Sequence, residues 1–139
     1  MSDLASDILE RVTIETASLP EGMDLVEVIR AAAGRSDPEW GSSWVLVAGD
    51  ATLPSSQRPQ LVVGVRGTGL GAISWHEPGG AGMIPSDGRN PDYVDYSLGD
   101  LHHTPMPPRA ELPLDRVLTA VGEFVRTGRR PESVTWTPG

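Results

Sequence analysis

The spacing of apolar residues predicts an amphipathic helix in the first quarter of the chain. Residues 25–32 place apolar side chains at intervals of three and four positions, so these side chains share one face of a helix. Asp24 stands just before this pattern and Glu27 follows three residues later, which is typical of a capping box with Asp as the N-cap. Gly34 is expected to end the helix, since glycine is common at helix C-termini.

A second and longer apolar pattern predicts the main helix of the protein near the C-terminus. Pro113 suits the first turn of this helix, and Gly128 is placed to terminate it. The apolar side chains between them form one broad face. The residues of this face that are expected in the core are Leu114, Val117, Leu118, Val121 and Phe124, and Val125 completes the face.

Six short segments predict β-strands, because their apolar and polar residues alternate or because they are rich in β-branched and aromatic residues. These segments are residues 12–16, 44–47, 61–66, 70–75, 92–96 and 134–137. Gly67, Thr68 and Gly69 join the third and fourth segments, which predicts a hairpin whose two glycines adopt positive φ. A phosphate-binding loop is disfavoured here because no helix follows the glycines.

The order of these elements predicts an α+β domain with a mostly antiparallel sheet of about five to six strands and two main helices. Residues 76–92 are too rich in glycine and proline to predict a regular element. Strand alternation directs Arg66 to solvent, and Trp136 is expected in the core with a partner for its indole N–H. Residues 1–139 are interpreted as one domain, in which residues 1–11 form either a short helix or a loose N-terminal tail.

Composition excludes several kinds of chemistry. The chain has no cysteine, and all 11 of its basic residues are arginine, which excludes disulfides, thiolate metal sites and a catalytic lysine. Its 19 acidic residues give a net charge of −8, which disfavours direct binding to nucleic acid and favours a basic partner. No apolar run approaches a membrane span and no secretory signal is evident. We therefore expect a cytoplasmic protein that binds no membrane.

Acidic and aromatic residues are concentrated in one segment. Residues 76–100, called the acidic loop below, hold five acidic residues and one arginine. Three aromatic residues lie at or near its ends: Trp75, Tyr93 and Tyr96. Aromatic side chains anchor protein interfaces and charges steer association, which favours a protein-binding patch. A solvated loop with aromatic side chains packed beneath it explains the same residues.

The titratable residues give little support for an enzyme. His102 and His103 are adjacent, so in a strand their side chains point to opposite faces, and no spacing typical of zinc ligands includes them. Glu111 and Asp115 are explained by a solvated face or by charge at a helix N-terminus. We expect no catalytic residue, metal or cofactor. The alternative is a small ligand-binding or hydrolytic domain that uses the acidic loop with His76, His102 and His103.

Several short motifs, taken in order, resemble a known family. They are LVVGVRG at 61–67, GAISW at 71–75, YVDY at 93–96, MPPRAELPL at 106–114 and VTW at 134–136. In this order and spacing the chain resembles, over about residues 12–136, the type-one immunity proteins of bacterial polymorphic toxin systems. That family is characterised by an α+β fold, a glycine hairpin motif and a C-terminal tryptophan.

The resemblance implies a protein that binds and silences a cognate toxin domain and catalyses no reaction. Family members usually accompany a deaminase, so the implied partner is a nucleic-acid deaminase of the cytidine type with a basic surface. An alternative is that this protein is a structural or regulatory partner of an unrelated basic protein. Such a protein would present the same acidic surface. We expect the partner-binding residues to be aromatic anchors and the acids around them. They are Trp75, Glu77, Asp87, Asp92, Tyr93, Asp95, Tyr96 and Asp100.

Overall fold

The computed structural model describes residues 4–80, 82–98 and 102–139, with the backbone alone for residues 4–6. The helices in this part of the chain are α1 Leu4–Leu9, α2 Leu25–Arg35 and α3 Leu114–Thr127. The strands are β1 Thr13–Glu15, β2 Gly41–Val47, β3 Gln60–Val65, β4 Leu70–His76, β5 Gly82–Pro85, β6 Tyr96–Leu98, β7 His102–His103, β8 Glu111–Pro113 and β9 Trp136–Pro138.

The nine strands of the described residues form one mixed sheet, whose main path is β7-β6-β2-β3-β4-β5-β9. The long central strands β2, β3 and β4 pair antiparallel, with Leu46 opposite Leu61 and Val63 opposite Ile73. β1 and β6 both pair parallel with β2, and β8 pairs antiparallel with β4. The α+β class and the mostly antiparallel sheet are confirmed, and the described strands outnumber the five to six expected.

The main core lies between one face of the sheet and the helices α2 and α3. Side chains alternate along a strand, so every second residue of the central strands faces the helices. Full burial of one large apolar side chain contributes about 1.5–3 kcal/mol. The buried residues on this face include Trp44, Leu46, Leu61, Val63, Ile73 and Trp75, and those of α3 are Val117, Leu118, Ala120, Val121 and Phe124. Leu114 and Val125 pack at the margin of this core.

At the ends of the two main helices, the residues predicted to cap α2 and to terminate α3 do so, but the residue predicted to end α2 does not. Asp24 caps α2 by accepting from the backbone N–H groups of Val26 at 3.1 Å and Glu27 at 3.4 Å. The predicted end at Gly34 was wrong, because this glycine keeps a helical conformation and α2 continues to Arg35. Gly128 terminates α3 with φ 67°, as predicted.

The start of α3 differs from the prediction. Pro113 is the last residue of β8 and the N-cap of the helix rather than a residue of its first turn. The short strand β8 has too few residues to show an alternation. It forms because Gly71 and Ala72 of β4 pair with Leu112 and Glu111.

The short helix α1 packs on the core. Ile8 of α1 is buried in the main core. The indole N–H of Trp44 donates to the carbonyl of Leu9 at 2.8 Å, which ties α1 to β2.

The prediction of no regular element in residues 76–92 was wrong, and so were the bounds of the strand predicted at residues 92–96. β5 forms within the glycine- and proline-rich residues 76–92, because Met83 pairs with Trp75 at the end of β4. The strand expected at residues 92–96 begins only at Tyr96, and Val94 makes an isolated bridge with Met106.

The hairpin between β3 and β4 forms as predicted, but its two glycines are needed for different reasons. Gly69 has φ 81°, which favours glycine. Gly67 does not have positive φ, so that part of the prediction was wrong. A Cβ at Gly67 would instead collide with the carbonyl oxygen of Ser36.

A smaller apolar cluster covers the opposite face of the sheet. It contains the buried residues Ala72, Tyr96, Met106 and Ala110. The Tyr96 ring lies against Gly41 and Gly64, where an added Cβ would approach the ring carbons to 2.5 and 2.6 Å respectively. Glycine at these two strand positions therefore makes room for the tyrosine.

Candidate functional site

Trp75 belongs to the core and does not form part of a binding surface. Its side chain points from β4 toward the helices, is 2% exposed, and meets the Phe124 ring edge-on with centroids 5.7 Å apart. Strand alternation explains this position, because Ile73, two residues before Trp75, belongs to the same core cluster. The expected role of Trp75 as an exposed anchor is therefore corrected to a packing role.

Tyr96 is also an interior residue, with no exposed surface. Its hydroxyl donates to Oε2 of Glu111 at 2.9 Å. Burial, followed by the negative charge of Glu111, raises the pKa of Tyr96 well above its usual range. This side chain cannot anchor a partner without opening the core, so its expected role is corrected in the same way.

Glu111 and Arg66 complete a buried polar cluster with Tyr96. Glu111 is 1% exposed, and its carboxylate accepts from Nη2 of Arg66 at 2.7 Å. The backbone N–H of Glu111 donates to Oδ1 of Asn90 at 2.8 Å. Arg66 is therefore paired and half-buried rather than directed to solvent, and Glu111 is not a solvated helix charge. A buried carboxylate needs such partners because its desolvation is costly.

The predicted acidic residues do not form one patch. Glu77 follows β4 and lies 4.0 Å from Arg130, whereas Asp92 and Asp95 precede β6, on the other side of β3 and β2. Asp87 is paired with Arg116 at 2.7 Å, and this hydrogen bond lowers the pKa of Asp87 below its usual value. Asp100 lies outside the described residues.

An exposed aromatic cluster lies where β6 and β7 form one edge of the sheet. The Trp40 ring is 4.7 Å from the ring of His103, and the Trp40 indole N–H donates to Oγ of Ser97. His103 Nε2 is 2.7 Å from Oδ1 of Asp95. Tyr93 lies two residues before Asp95 in the chain, and its side chain is 70% exposed.

We call this region the Trp40 surface. Its exposed residues come from the loop before β2, from the segment leading into β6, and from β7. They are Asp37, Glu39, Trp40, Asp92, Tyr93, Asp95 and His103. The surface contains three of the predicted partner-binding residues.

Trp40 was not among the residues expected to bind a partner. It lies between the predicted helix and the strand predicted at residues 44–47, and the only local signal is a large aromatic residue beside Asp37, Pro38 and Glu39. Its neighbours in space, Ser97 and His103, are far along the chain. Their proximity follows from the pairing of Gly41 with Tyr96.

The buried cluster supports the loop that carries Trp40. Arg66 donates from Nη1 to the carbonyl of Pro38 at 3.3 Å. The N–H of Gly67 donates to the carbonyl of Asp37 at 3.4 Å, and Asp37 Oδ1 accepts from the N–H of Trp40 at 3.1 Å. The loop backbone is thus bonded both to the β3–β4 hairpin and to itself.

The three histidines do not converge on one site. His76 on β4 is separated from His102 and His103 on β7 by three strands, roughly 19 Å at the usual strand spacing. His76 contacts Oγ of Ser74 at 3.2 Å, and burial lowers its pKa. Within the described ranges, no group of three or more His, Asp or Glu side chains is placed to hold a metal ion.

Open clefts line the helix face of the protein. One of about 530 Å³ lies between α2 and α3, beside the ion pair of Arg30 with Asp115 at 3.2 Å. Arg66, just after β3, Glu111 in β8 and Tyr96 in β6 are not among the residues that line this cleft. In the part of the chain that the structure describes, no helix has the length and apolar character needed to cross a membrane.

Comparison with known proteins agrees with the resemblance carried by the sequence motifs. The model of a family described as immunity protein Imm1 matches residues 15–138, which include the whole sheet except the first two residues of β1. A search of curated proteins gives no match. On the family match, the chain belongs to the Imm1 immunity protein family.

Proposed function

We propose that this protein binds and neutralises a cognate toxin domain of a bacterial polymorphic toxin system, and that the toxin is a nucleic-acid deaminase of the cytidine type. The protein acts in the cytoplasm, where it binds the toxin without catalysing a reaction. The observation that carries the proposal is the Imm1 match over residues 15–138. An immunity role follows from the family, and the deaminase follows from the toxins that usually accompany it.

The charge of the chain supports a nucleic-acid enzyme as the target. An enzyme that acts on a base needs a pocket for the extruded or single-stranded nucleotide, beside basic residues that hold the backbone. A protein with net charge −8 is attracted to such a surface and covers it by imitating the charge of the nucleic acid.

We assign the electrostatic steering of toxin association to the acidic residues of the predicted set. Asp92 and Asp95 are exposed and lie beside Tyr93, so they combine steering charge with an apolar contact. Asp87 and Glu77 have arginine neighbours of their own, which reduces the field they present to a partner.

Co-expression with the toxin domain encoded beside this gene tests the proposal. The tagged toxin domain should retain the untagged protein through purification as a one-to-one complex. The complex should not deaminate cytosine in single-stranded DNA or RNA, and the toxin refolded alone should do so. Failure of the two chains to associate would refute the proposed function. Association with a toxin that has another activity would refute the deaminase assignment alone.

The electrostatic part has its own test with a matched control. One variant changes three acids of the predicted set to arginine: Asp87, Asp92 and Asp95. The control changes three exposed acids outside that set to arginine and has the same net charge: Glu10, Glu21 and Glu132. The first variant should associate with the toxin more slowly and with a weaker dependence on salt than the control. Equal association rates at low salt would show that the position of the charge does not matter.

A further inference from the structure

Exposed aromatic surface is concentrated at the Trp40 surface. Among the described residues, the large apolar side chains that remain exposed are Trp40 at 45%, Leu53 at 42% and Tyr93 at 70%. Two of these three lie on the Trp40 surface, while Leu53 lies on the loop between β2 and β3. Tryptophan and tyrosine are also the residues most enriched among those that dominate binding energies.

The Trp40 side chain is held in place before any partner arrives. Its indole N–H is already bonded to Ser97 and one part of its ring packs against His103. Its polar atom therefore needs no partner in a complex, and the rest of the ring offers apolar contact. Because the side chain is already ordered, binding loses less conformational entropy than it would with a mobile tryptophan.

The charge around the two aromatic residues is acidic. The three segments that carry the Trp40 surface, residues 37–40, 92–95 and 102–103, contain four acids and no arginine. The acids are Asp37, Glu39, Asp92 and Asp95. The exposed aromatic side chains are therefore carried on acidic segments, which complements a basic surface with an apolar recess.

We propose that the Trp40 surface is the face that binds the toxin domain. Trp40 and Tyr93 insert as anchors into the toxin, and Asp92 and Asp95 face basic residues beside its nucleic-acid site. This inference rests on the proposed function and adds to it the position of the interface on this chain. It replaces the buried Trp75 and Tyr96 as anchors and moves the interface away from Glu77.

Affinity measurements on single variants test the inference. The purified toxin domain encoded beside the gene is immobilised, and binding of the wild-type protein and of each variant is followed in real time. Trp40→Ala and Tyr93→Ala should each weaken the Kd by about 30-fold or more, mainly through faster dissociation. Leu53→Ala removes a similarly exposed apolar side chain elsewhere on the molecule, and its Kd should stay within about twofold of wild type.

Two further variants separate the roles of charge and shape. Asp92→Asn and Asp95→Asn, combined in one protein, should slow association and reduce its salt dependence while changing dissociation little. Tyr93→Ala guards against a folding defect in the Trp40 variant, since Tyr93 is the more exposed of the two anchors. Circular dichroism and thermal unfolding of each variant show whether its fold is intact.

The outcomes separate this inference from the proposed function. If the wild-type protein binds but the Trp40 and Tyr93 variants bind as tightly as the Leu53 variant, the toxin uses another face and the inference is wrong. The inference is also wrong if all three variants lose affinity for the toxin domain to the same extent. If the wild-type protein does not bind, the proposed function fails and the inference fails with it.

Discussion

Gly64 should be intolerant of a change to alanine, because the ring of Tyr96 occupies the space that a side chain would need. A Cβ at Gly64 would lie 2.6 Å from two carbons of that ring, about 1 Å closer than a favourable carbon–carbon contact. Tyr96 is fully buried and its hydroxyl is bonded to Glu111 at 2.9 Å. The ring cannot move away without stretching or breaking this hydrogen bond.

The size of the effect follows from three contributions. Overpacking of a well-ordered core costs about 1–3 kcal/mol. Loss of a hydrogen bond to a charged group costs about 1.5–3 kcal/mol. Replacing glycine by alanine also restricts the unfolded chain, which offsets about 0.4–1 kcal/mol of the loss. We therefore expect Gly64→Ala to lower the free energy of unfolding by about 2–5 kcal/mol, and the Tm by about 6–20 °C for a chain of this length.

Gly34→Ala is the matched control, since it is the same substitution with the opposite expected sign. Gly34 lies in α2, and a Cβ there meets no atom within 4 Å. Alanine is preferred over glycine inside a helix by about 1 kcal/mol, so this variant should be slightly more stable than wild type. Urea unfolding followed by circular dichroism measures both changes. A Gly64→Ala protein as stable as wild type would refute the packing of Tyr96 over β3.

Three further predictions concern stability. Asp24→Ala removes the N-cap of α2 and should lower stability by about 1 kcal/mol, seen as a lower urea midpoint; an unchanged midpoint would contradict the capping role. Trp75→Ala should cost about 3–5 kcal/mol by leaving a cavity beside Phe124, whereas Tyr93→Ala should stay within about 0.5 kcal/mol of wild type; equal losses would contradict the assignment of Trp75 to the core. Burial lowers the pKa of His76 below 6.5 in the folded protein. As the pH falls below about 6.5, the unfolded chain binds a proton at this residue before the folded protein does, so the free energy of unfolding decreases. His76→Gln should therefore show a smaller fall in Tm between pH 7.5 and pH 5.5 than wild type, and parallel profiles would exclude this contribution.

Local patterns were sufficient for the two main helices and the central strands. The helix between Pro113 and Gly128 was predicted because its apolar positions repeat with the helical period over four turns. Trp44 and Ile73 lie in segments whose residue types favour strands. Each of these elements is long enough for its residue pattern to be recognised.

The short strands at the edges of the sheet could not be predicted in this way. β7 and β8 contain two and three residues, too few to show an alternation. They form by pairing with a neighbouring strand, β7 with β6 and β8 with β4. The same is true of β5, where pairing with β4 outweighs a composition rich in glycine and proline.

The sequence by itself determined the family, the acidic charge and the elements with a clear period, because these depend on composition, motif order and local spacing. Only the tertiary structure decided which aromatic residues are exposed. Tyr96 is buried because β6 pairs with β2 beside Gly41, and Trp40 is exposed at the same edge. Arg66 and Glu111, 45 residues apart in the chain, form an ion pair because β4 lies between β3 and β8 in the sheet. The burial of Tyr96 and the proximity of Arg66 to Glu111 both result from pairing between strands that are distant in the sequence. A local sequence pattern contains no information about such pairing.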